Sequence, residues 1–480
     1  MQKKYLAIAV ASLLAALSTG AHAGFANFTP LPASAGPTAT PATPATLSSP
    51  NFKQTTIADR ATQNAISPGS NSGNWDMITA NETGPNAGRY LFMPFETGSG
   101  GVQRIDLRDP NYNTRTVTIV APGTNGFVAG DASRWTPWGS YLTAEESWGA
   151  GSTKGRLFEI TNATTAGANG GNFVQRSIVP RVSHEGLAFD AAKSMYFVDE
   201  LNGGSVYKFV SANPNASTGD DYFAKGQTFA LKVGAGGQFE GNNGPAITGS
   251  SVWVAITDAV GNAIAGVSTL LGDGTIDGRT TADHANVQAT GFNRPEDLEV
   301  QTLGDGTQLI YFTTTDSDNN ATTADGRSRV YTYNTKTGEV RLFADSSIID
   351  LATGLPVGGG FRNADNLAID ANGNIYIIED RDGGVDDDIW FARDLNLDGD
   401  LLDAGEGLGR WASNGTPGSE FSGLYFDKFD PNVAYVNIQH PADGIDRTLM
   451  INAVPEPGSY SLILAGLGLM GAVTRRRKQK

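Results

Sequence analysis

The sequence predicts an all-β chain folded as a β-propeller, and three observations lead there. A phrase recurs with variations: SHEGLAFD at 183–190, RPEDLEV at 294–300, NADNLAID at 363–370 and FSGLYFD at 421–427. Each is followed by a second strand-like run: SMYFVDE ending at Glu200, LIYFTTTD ending at Asp316, NIYIIED ending at Asp380 and VAYVNIQH ending at His440. Long helical periodicity is scarce, and short apolar runs stop at Gly, Asn or Asp, with 60 Gly in 480 residues. Short alternating runs bounded by turn residues are strands, and a repeat of this size builds a propeller or a solenoid.

The two ends read as addresses. Lys3 and Lys4 precede an apolar stretch to about Leu17, and Ala21-His22-Ala23 gives a small-x-small cleavage pattern, so residues 1–23 read as a secretory signal peptide. Residues 24–73 read as a Pro/Ala/Thr-rich linker and lead-in, with TPLPASAGPTATPATPATLSSP too poor in large apolar groups to fold. At the other end, residues 453–480 join Pro455-Glu456-Pro457, a short apolar Gly-rich stretch and the basic terminus TRRRKQK. This trio resembles the PEP-CTERM sorting signal. The resemblance implies a short transmembrane helix that anchors the protein transiently, an exosortase-type processing enzyme and delivery to the surface or matrix of a Gram-negative, exopolysaccharide-making bacterium. An ordinary C-terminal anchor is the alternative.

The body, residues 74–452, divides into blades. Further candidate cores are RYLFMPFET at 89–97, GSYLTAEES at 139–147 and SSVWVAITD at 250–258. Aligning Leu187, Leu298, Leu367 and Leu424 gives intervals of 111, 69 and 57 residues, the first read as two blades with SSVWVAITD between. Outer strands repeat as SVYKFV at 205–210, SRVYTYN at 328–334 and DIWFARD at 388–394. Six blades result, the last closing on the N-terminal strands. Five or seven blades, a long β-sandwich or two β domains compete.

The formal net charge is −16, and without the two ends the body carries 27 basic and 49 acidic residues, a net of −22. Such a surface repels nucleic acid and attracts divalent cations. With no Cys there is no disulfide, thiolate ligand or Cys nucleophile. No G-x-S-x-G elbow, P-loop or H-E-x-x-H occurs, so serine-hydrolase and nucleotide chemistry are not indicated.

Three strand entrances put an Arg just before an acid or amide: Arg181 before His184 and Glu185, Arg294 before Glu296 and Asp297, Arg362 before Asp365 and Asn366. In a propeller these entrances converge on one channel, where oxygen donors suit hard cations and guanidinium suits phosphate. Arg–carboxylate locking between blades would produce the same pattern. Glu145 and Glu146 are neighbours on a strand, so only one can face a shared site. His184 and His440 fall in the repeat phrases. Separately, Asp394, Asn396, Asp398, Gly399 and Asp400, followed by Asp403 and Glu406, open like an EF-hand-type calcium loop, with the closing acid one residue late. Asp386-Asp387-Asp388 lies close by in sequence.

The phrases TPWGSYLTAEES, SHEGLAFD with YFVDE, FNRPEDLEV with YFTTTD, RNADNLAIDANGNIYIIED, and FSGLYFD with VNIQHP together resemble the PhoX-type alkaline phosphatase family over nearly the whole body. The resemblance implies a six-bladed propeller that hydrolyses phosphomonoesters at calcium and iron in the central channel. On the matching motifs it implies metal ligands at Glu145 or Glu146, Glu185, Glu296, Asp297, Asp365, Asn366 and Asp380. It implies catalytic, phosphate-clamping arginines at Arg294, Arg362 and Arg381. One position departs: the Cys that precedes the Glu pair and ligates Fe3+ in those phosphatases is Ala144 here. A twin-Arg export signal is also absent. Both departures point away from a preassembled iron centre, and leave a phosphatase running on Ca2+ or another hard ion, or one with an altered iron site. The expectation is an exported calcium-binding phosphomonoesterase. The alternatives are a non-catalytic calcium-binding protein of the cell surface or biofilm matrix, and a calcium-dependent lactonase.

Overall fold

The computed structural model describes residues 24–36, 40–241, 244–315, 328–381 and 387–454. The expected leader lies outside the described residues, as do Asp316, Asp386 and the sorting segment from 455 onward, including its expected transmembrane helix. Among the described residues no helix is long and apolar enough to cross a membrane.

The chain is all-β and propeller-like. Strands follow one another as antiparallel neighbours, each sheet beginning at a central axis and stepping outward. The first sheet runs Thr79–Ala80, Tyr90–Pro94, Val102–Asp106 and Thr116–Val120. The second runs Gly130–Trp135, Tyr141–Glu145, Leu157–Ile160 and Phe173–Gln175. A nine-stranded sheet follows, with Leu187–Phe189 at one end and Pro295–Thr302 at the other. Two further sheets begin at Ala364–Ile369 and at Glu420–Phe426. Successive first strands touch around the axis. The ring closes where Ser422 Oγ donates to Asp76 Oδ1 at 2.6 Å.

Strand Ile375–Glu379 shows why these sequences make strands buried on both faces. Ile375 and Ile377 enter an apolar cluster with Tyr311, Val330 and Trp390. Tyr376 and Ile378 point the other way, into a cluster with Trp411, Phe426 and Val436. Period-two alternation therefore separates two apolar interfaces rather than core from solvent, which is why the phrases read as nearly continuous apolar runs. Each such side chain contributes about 1.5–3 kcal/mol on burial.

Two expectations are revised. The segment expected to be an unpacked linker is structured where it is described. Phe25 is 1 % exposed among Phe52, Trp411 and Phe426. Ala45–Leu47 adds an outer strand beside Gly407–Asn414, and Phe52–Asp59 pairs along Arg447–Ala453. Composition averaged over the stretch concealed single aromatic anchors and two strands flanking its Pro-rich part. The phrase SSVWVAITD is not a blade core either. Strand Gly249–Ala255 lies at the seam of the nine-stranded sheet, between Gly226–Val233 and Glu339–Ala344. The remaining core phrases contribute inner strands near the axis.

Candidate metal centre

At one end of the axis, the starts of first strands meet the ends of second strands. Glu185 precedes Leu187–Phe189, while Asp131, Glu296 and Asp365 lie at the starts of their strands. Glu96, Glu146, Glu200 and Asp380 stand just after second strands. Antiparallel pairing places these two sets side by side: Gly130 opposes Glu145, and Ala364 opposes Glu379. The register shifts by a bulge directly at Asp131, at Glu296 and at Asp365. A bulge re-aims a side chain, here out of the ladder and into the channel.

The result is a cavity of about 170 Å³ lined by ten carboxylates: Asp76, Glu96, Asp131, Glu146, Glu185, Glu200, Glu296, Asp365, Asp380 and Glu420. Among the described residues, only Arg294 and His440 bring a cationic side chain to that wall. Carboxylates touch directly at Asp131 with Glu185, Glu146 with Glu200, and Asp380 with Glu420. Two ionised carboxylates cannot hydrogen-bond each other, so each contact requires a proton or a cation between them. Ligand oxygens of Asp131, Glu146 and Glu185 lie within 4.8 Å of one another, as do those of Glu185, Glu296 and Asp365. Glu185 belongs to both groups.

The electrostatics agree. Burial, then the Asp131 charge, hold Glu185 well above the usual carboxylate range. Burial and the Glu296 charge do the same for Asp365 and Glu200. Burial pushes Glu296 up to about 8 despite the opposing Arg294 charge. Arg294 pairs with Glu200 at 2.5 Å and Glu296 at 3.3 Å. His440 Nε2 lies 3.2 Å from Glu420 and 3.7 Å from Glu96. Burial lowers its pKa, but the hydrogen bond and charge of Glu96, with Asp76 and Asp446, outweigh this and leave it above the ordinary value.

The expected site residues divide. Glu146, Glu185, Arg294, Glu296, Asp365, Asp380 and His440 line the cavity. Glu145 does not: it is buried against Arg156 at 2.5 Å and accepts the backbone N–H groups of Val128 and Arg156. Asp297 and Asn366, the residues just after the channel acids, tie neighbouring sheets together. Asp297 Oδ2 accepts Leu367 N–H at 2.9 Å, and Asn366 Oδ1 accepts Gly423 N–H at 2.6 Å. Alternation sends them the opposite way from Glu296 and Asp365. Both line a different cavity of about 410 Å³, which also holds the Arg134–Glu299 pair at 2.8 Å. Arg362 is held by Glu379, which accepts its backbone N–H, and by Gly359 O, and neither Arg362 nor Arg381 lines the carboxylate cavity. His184 is fully buried 5.3 Å from Phe197, and burial pushes its pKa down to about 3.

In the Asp394–Glu406 loop, carboxylates accept the loop's own N–H groups. Asp394 caps Leu397 and Gly399, and Glu406 caps Leu395 and Asp403. Nearby, Asp388 pairs with Arg410 at 2.5 Å, and Asp387 accepts from Asn414 and Phe421.

Sequence reasoning had not assigned Asp76, Glu96, Asp131, Glu200 or Glu420 to the site. Glu200 and Glu96 carried a usable signal, an acid ending a second-strand phrase as Asp380 does. Asp76 and Asp131 carried none, because the strands beside them are too short or too polar to read.

An all-β propeller-like protein with a carboxylate-lined axial channel is thus defined by fold and site together. The alkaline phosphatase PhoX family matches residues 123–442, and the chain belongs to that family. The PEP-CTERM protein-sorting motif matches residues 453–478, which marks a surface-sorted protein handled by exosortase-type machinery. No curated protein matches the chain. Among solved structures, virginiamycin B lyase from Staphylococcus aureus is similar at 10 % identity, covering 84 % of this chain and 100 % of its own, with a TM-score of 0.40. Aldose sugar dehydrogenase from Streptomyces coelicolor is similar at 10 % identity, covering 72 % and 82 %, with a TM-score of 0.34. TolB from Acinetobacter baumannii is similar at 11 % identity, covering 82 % and 67 %, with a TM-score of 0.33.

Proposed function

We propose that the channel is the centre of a metal-dependent phosphomonoesterase on a six-bladed propeller. One observation carries the reading: among the described residues, ten channel carboxylates face a single arginine and a single histidine, in a chain of the PhoX alkaline phosphatase family. Splitting the nine-stranded sheet at Gly249–Ala255 supports the count of six.

The donor set is all oxygen, which fits a hard cation such as Ca2+. It does not fit iron held by thiolate. Ala144 packs with Leu142, Leu157 and Phe197 in an apolar cluster, and the chain has no Cys. Asp131, Glu146 and Glu185 would hold one ion, and Glu185, Glu296 and Asp365 a second. Bound there, the ions would polarise the ester phosphate and supply activated water. Arg294 would present its N–H groups to a non-bridging phosphate oxygen, exchanging its hold on Glu200 for a second anion. His440 would hand a proton to the departing alcohol oxygen. Water would add to phosphorus as the ester P–O bond breaks, its released proton would restore the one His440 gave, and alcohol and inorganic phosphate would leave.

The Asp394–Glu406 loop would take a separate structural Ca2+. Residues 1–23 would direct export, and the tail would meet an exosortase-type enzyme and exopolysaccharide. A second reading, a non-catalytic calcium-binding surface protein, is favoured by one observation: of the three expected clamp arginines only Arg294 lines the cavity.

The test is turnover of a chromogenic phosphomonoester by the mature chain with calcium, with and without iron, beside Glu296→Gln. Metal-dependent turnover that the variant loses supports the hydrolase. No turnover above the variant with either metal sinks it, and bound calcium alone would then favour the second reading.

A further inference from the structure

Trp148 stands at the rim of the channel with 46 % of its surface exposed. The ring is held in place from below. The Arg294 guanidinium lies over the ring, 4.7 Å from its centroid. The indole Nε1 donates to Glu146 Oε1. Both partners line the metal channel. The ring is therefore tied to an acid of the Asp131–Glu146–Glu185 group and to the channel arginine.

The loop that carries Trp148 is fixed from outside. Ser147 N donates to Ser183 Oγ at 2.8 Å, beside the channel acid Glu185. The buried Arg279 donates to Ser147 O at 3.1 Å and Ser152 O at 2.6 Å, so it grips both ends of the turn. Asp277 holds Arg279 at 2.8 Å and accepts Gly151 N–H at 2.9 Å. Arg279 and Asp277 come from an insertion between Gly249–Ala255 and Phe292–Asn293, far from Trp148 in sequence. A buried ion pair that clamps a surface turn is the arrangement expected where one side chain must be kept in a single place.

We propose that Trp148 is a specificity platform: its solvent-facing ring stacks on the leaving group of the ester and makes the centre prefer phosphomonoesters of planar aromatic alcohols, that is, aryl phosphates. The proposal rests on the phosphomonoesterase reading of the channel. Phosphate held by Arg294 places the ester oxygen beside that arginine, and the group beyond it next to the indole that covers the same guanidinium. The rim acids disfavour an anionic leaving group and leave a neutral planar one as the partner. Arg279 and Asp277 are positioning residues for this ring.

The experiment uses the full chain loaded with calcium. Turnover is compared on phenyl phosphate and glycerol 2-phosphate, and binding by calorimetry on phenylphosphonate and methylphosphonate, which cannot be hydrolysed. Stacking predicts that W148A lowers the aryl-to-alkyl preference about tenfold in both readouts, while W148F keeps most of it. F239A removes an exposed aromatic in a separate cavity and should leave the preference unchanged. If W148A fails to fold, W148L with matched calcium content takes its place. Preferential binding of phenylphosphonate that depends on Trp148, with no ester turned over, supports the platform while the hydrolase reading falls. Equal handling of aryl and alkyl compounds by wild type, or a preference unmoved in W148A, overturns the platform.

Discussion

Glu145 and Glu146 are adjacent and chemically identical, yet they do opposite jobs. Glu145 is buried in an ion pair with Arg156, so its charge is compensated within the fold. Glu146 faces other acids across the channel, where a proton or a cation must offset its charge. Glu145→Gln should cost about 3 kcal/mol of stability and leave calcium affinity nearly intact, because it breaks a buried pair. Glu146→Gln should leave metal-free stability unchanged or raise it, and weaken calcium about tenfold or more. Urea unfolding and calcium titration of the two variants check this, and interchanged outcomes would refute the assignment. Glu185→Gln should have the largest effect on calcium, since both groups share that carboxylate. The acid pair itself was visible in the sequence. Which of the two faced inward was not, because alternation fixes their opposition and only tertiary packing fixes its sense.

The first strands carry two messages in adjacent residues: an acid for the channel, then a connector to the next sheet. Asp297 and Asn366 read in sequence as ligands because they share the chemistry of their neighbours, but alternation turns them away from the channel, toward a backbone N–H of the next sheet. Gly186 holds the corresponding place before Leu187, and a Cβ there would meet Asp297 Oδ1 at 2.2 Å. Gly186→Ala should therefore loosen the joint between two first strands, lowering the unfolding midpoint with little direct effect on the ions. The N-terminal segment is a second case of an element whose role its composition hid. Phe25→Ala should cost about 3 kcal/mol, as for other buried Phe truncations, measured by urea unfolding. A cost near zero would mean that residues 24–36 do not hold the last two sheets together. Long apolar phrases made most inner strands legible. Thr79–Ala80 is too short to announce itself, and Phe25 is one aromatic in a run of small residues.

For the whole molecule, the acidic channel makes stability depend on pH and cations together. Burial and neighbouring charge push Glu96 and Glu296 up to about 8 and Asp76 up to about 6. A carboxyl whose pKa is higher in the fold than in the unfolded chain favours folding at low pH. That contribution is complete below the unfolded value of about 4 and is lost as pH rises through about 6 to 8. Metal-free protein should thus melt at lower temperature at about pH 8.5 than at about pH 5. Calcium should restore the difference, adding about 2.7 kcal/mol at a hundredfold excess over Kd. Calorimetry in buffers of different ionisation enthalpy should show protons released on binding. A metal-free melting temperature that climbs with pH would contradict this. Strand Arg447–Ala453 of the last sheet, which lies between Val433–Gln439 and the edge strand Phe52–Asp59, has a directional consequence. Arg447 pairs with Ile438 beside the channel mouth, whereas Ala453 pairs with Phe52 at the far end. The sorting motif begins at residue 453. The strand therefore hands the chain to its sorting motif at the end opposite the carboxylates, so the start of the address and the mouth of the channel lie on opposite faces of the propeller.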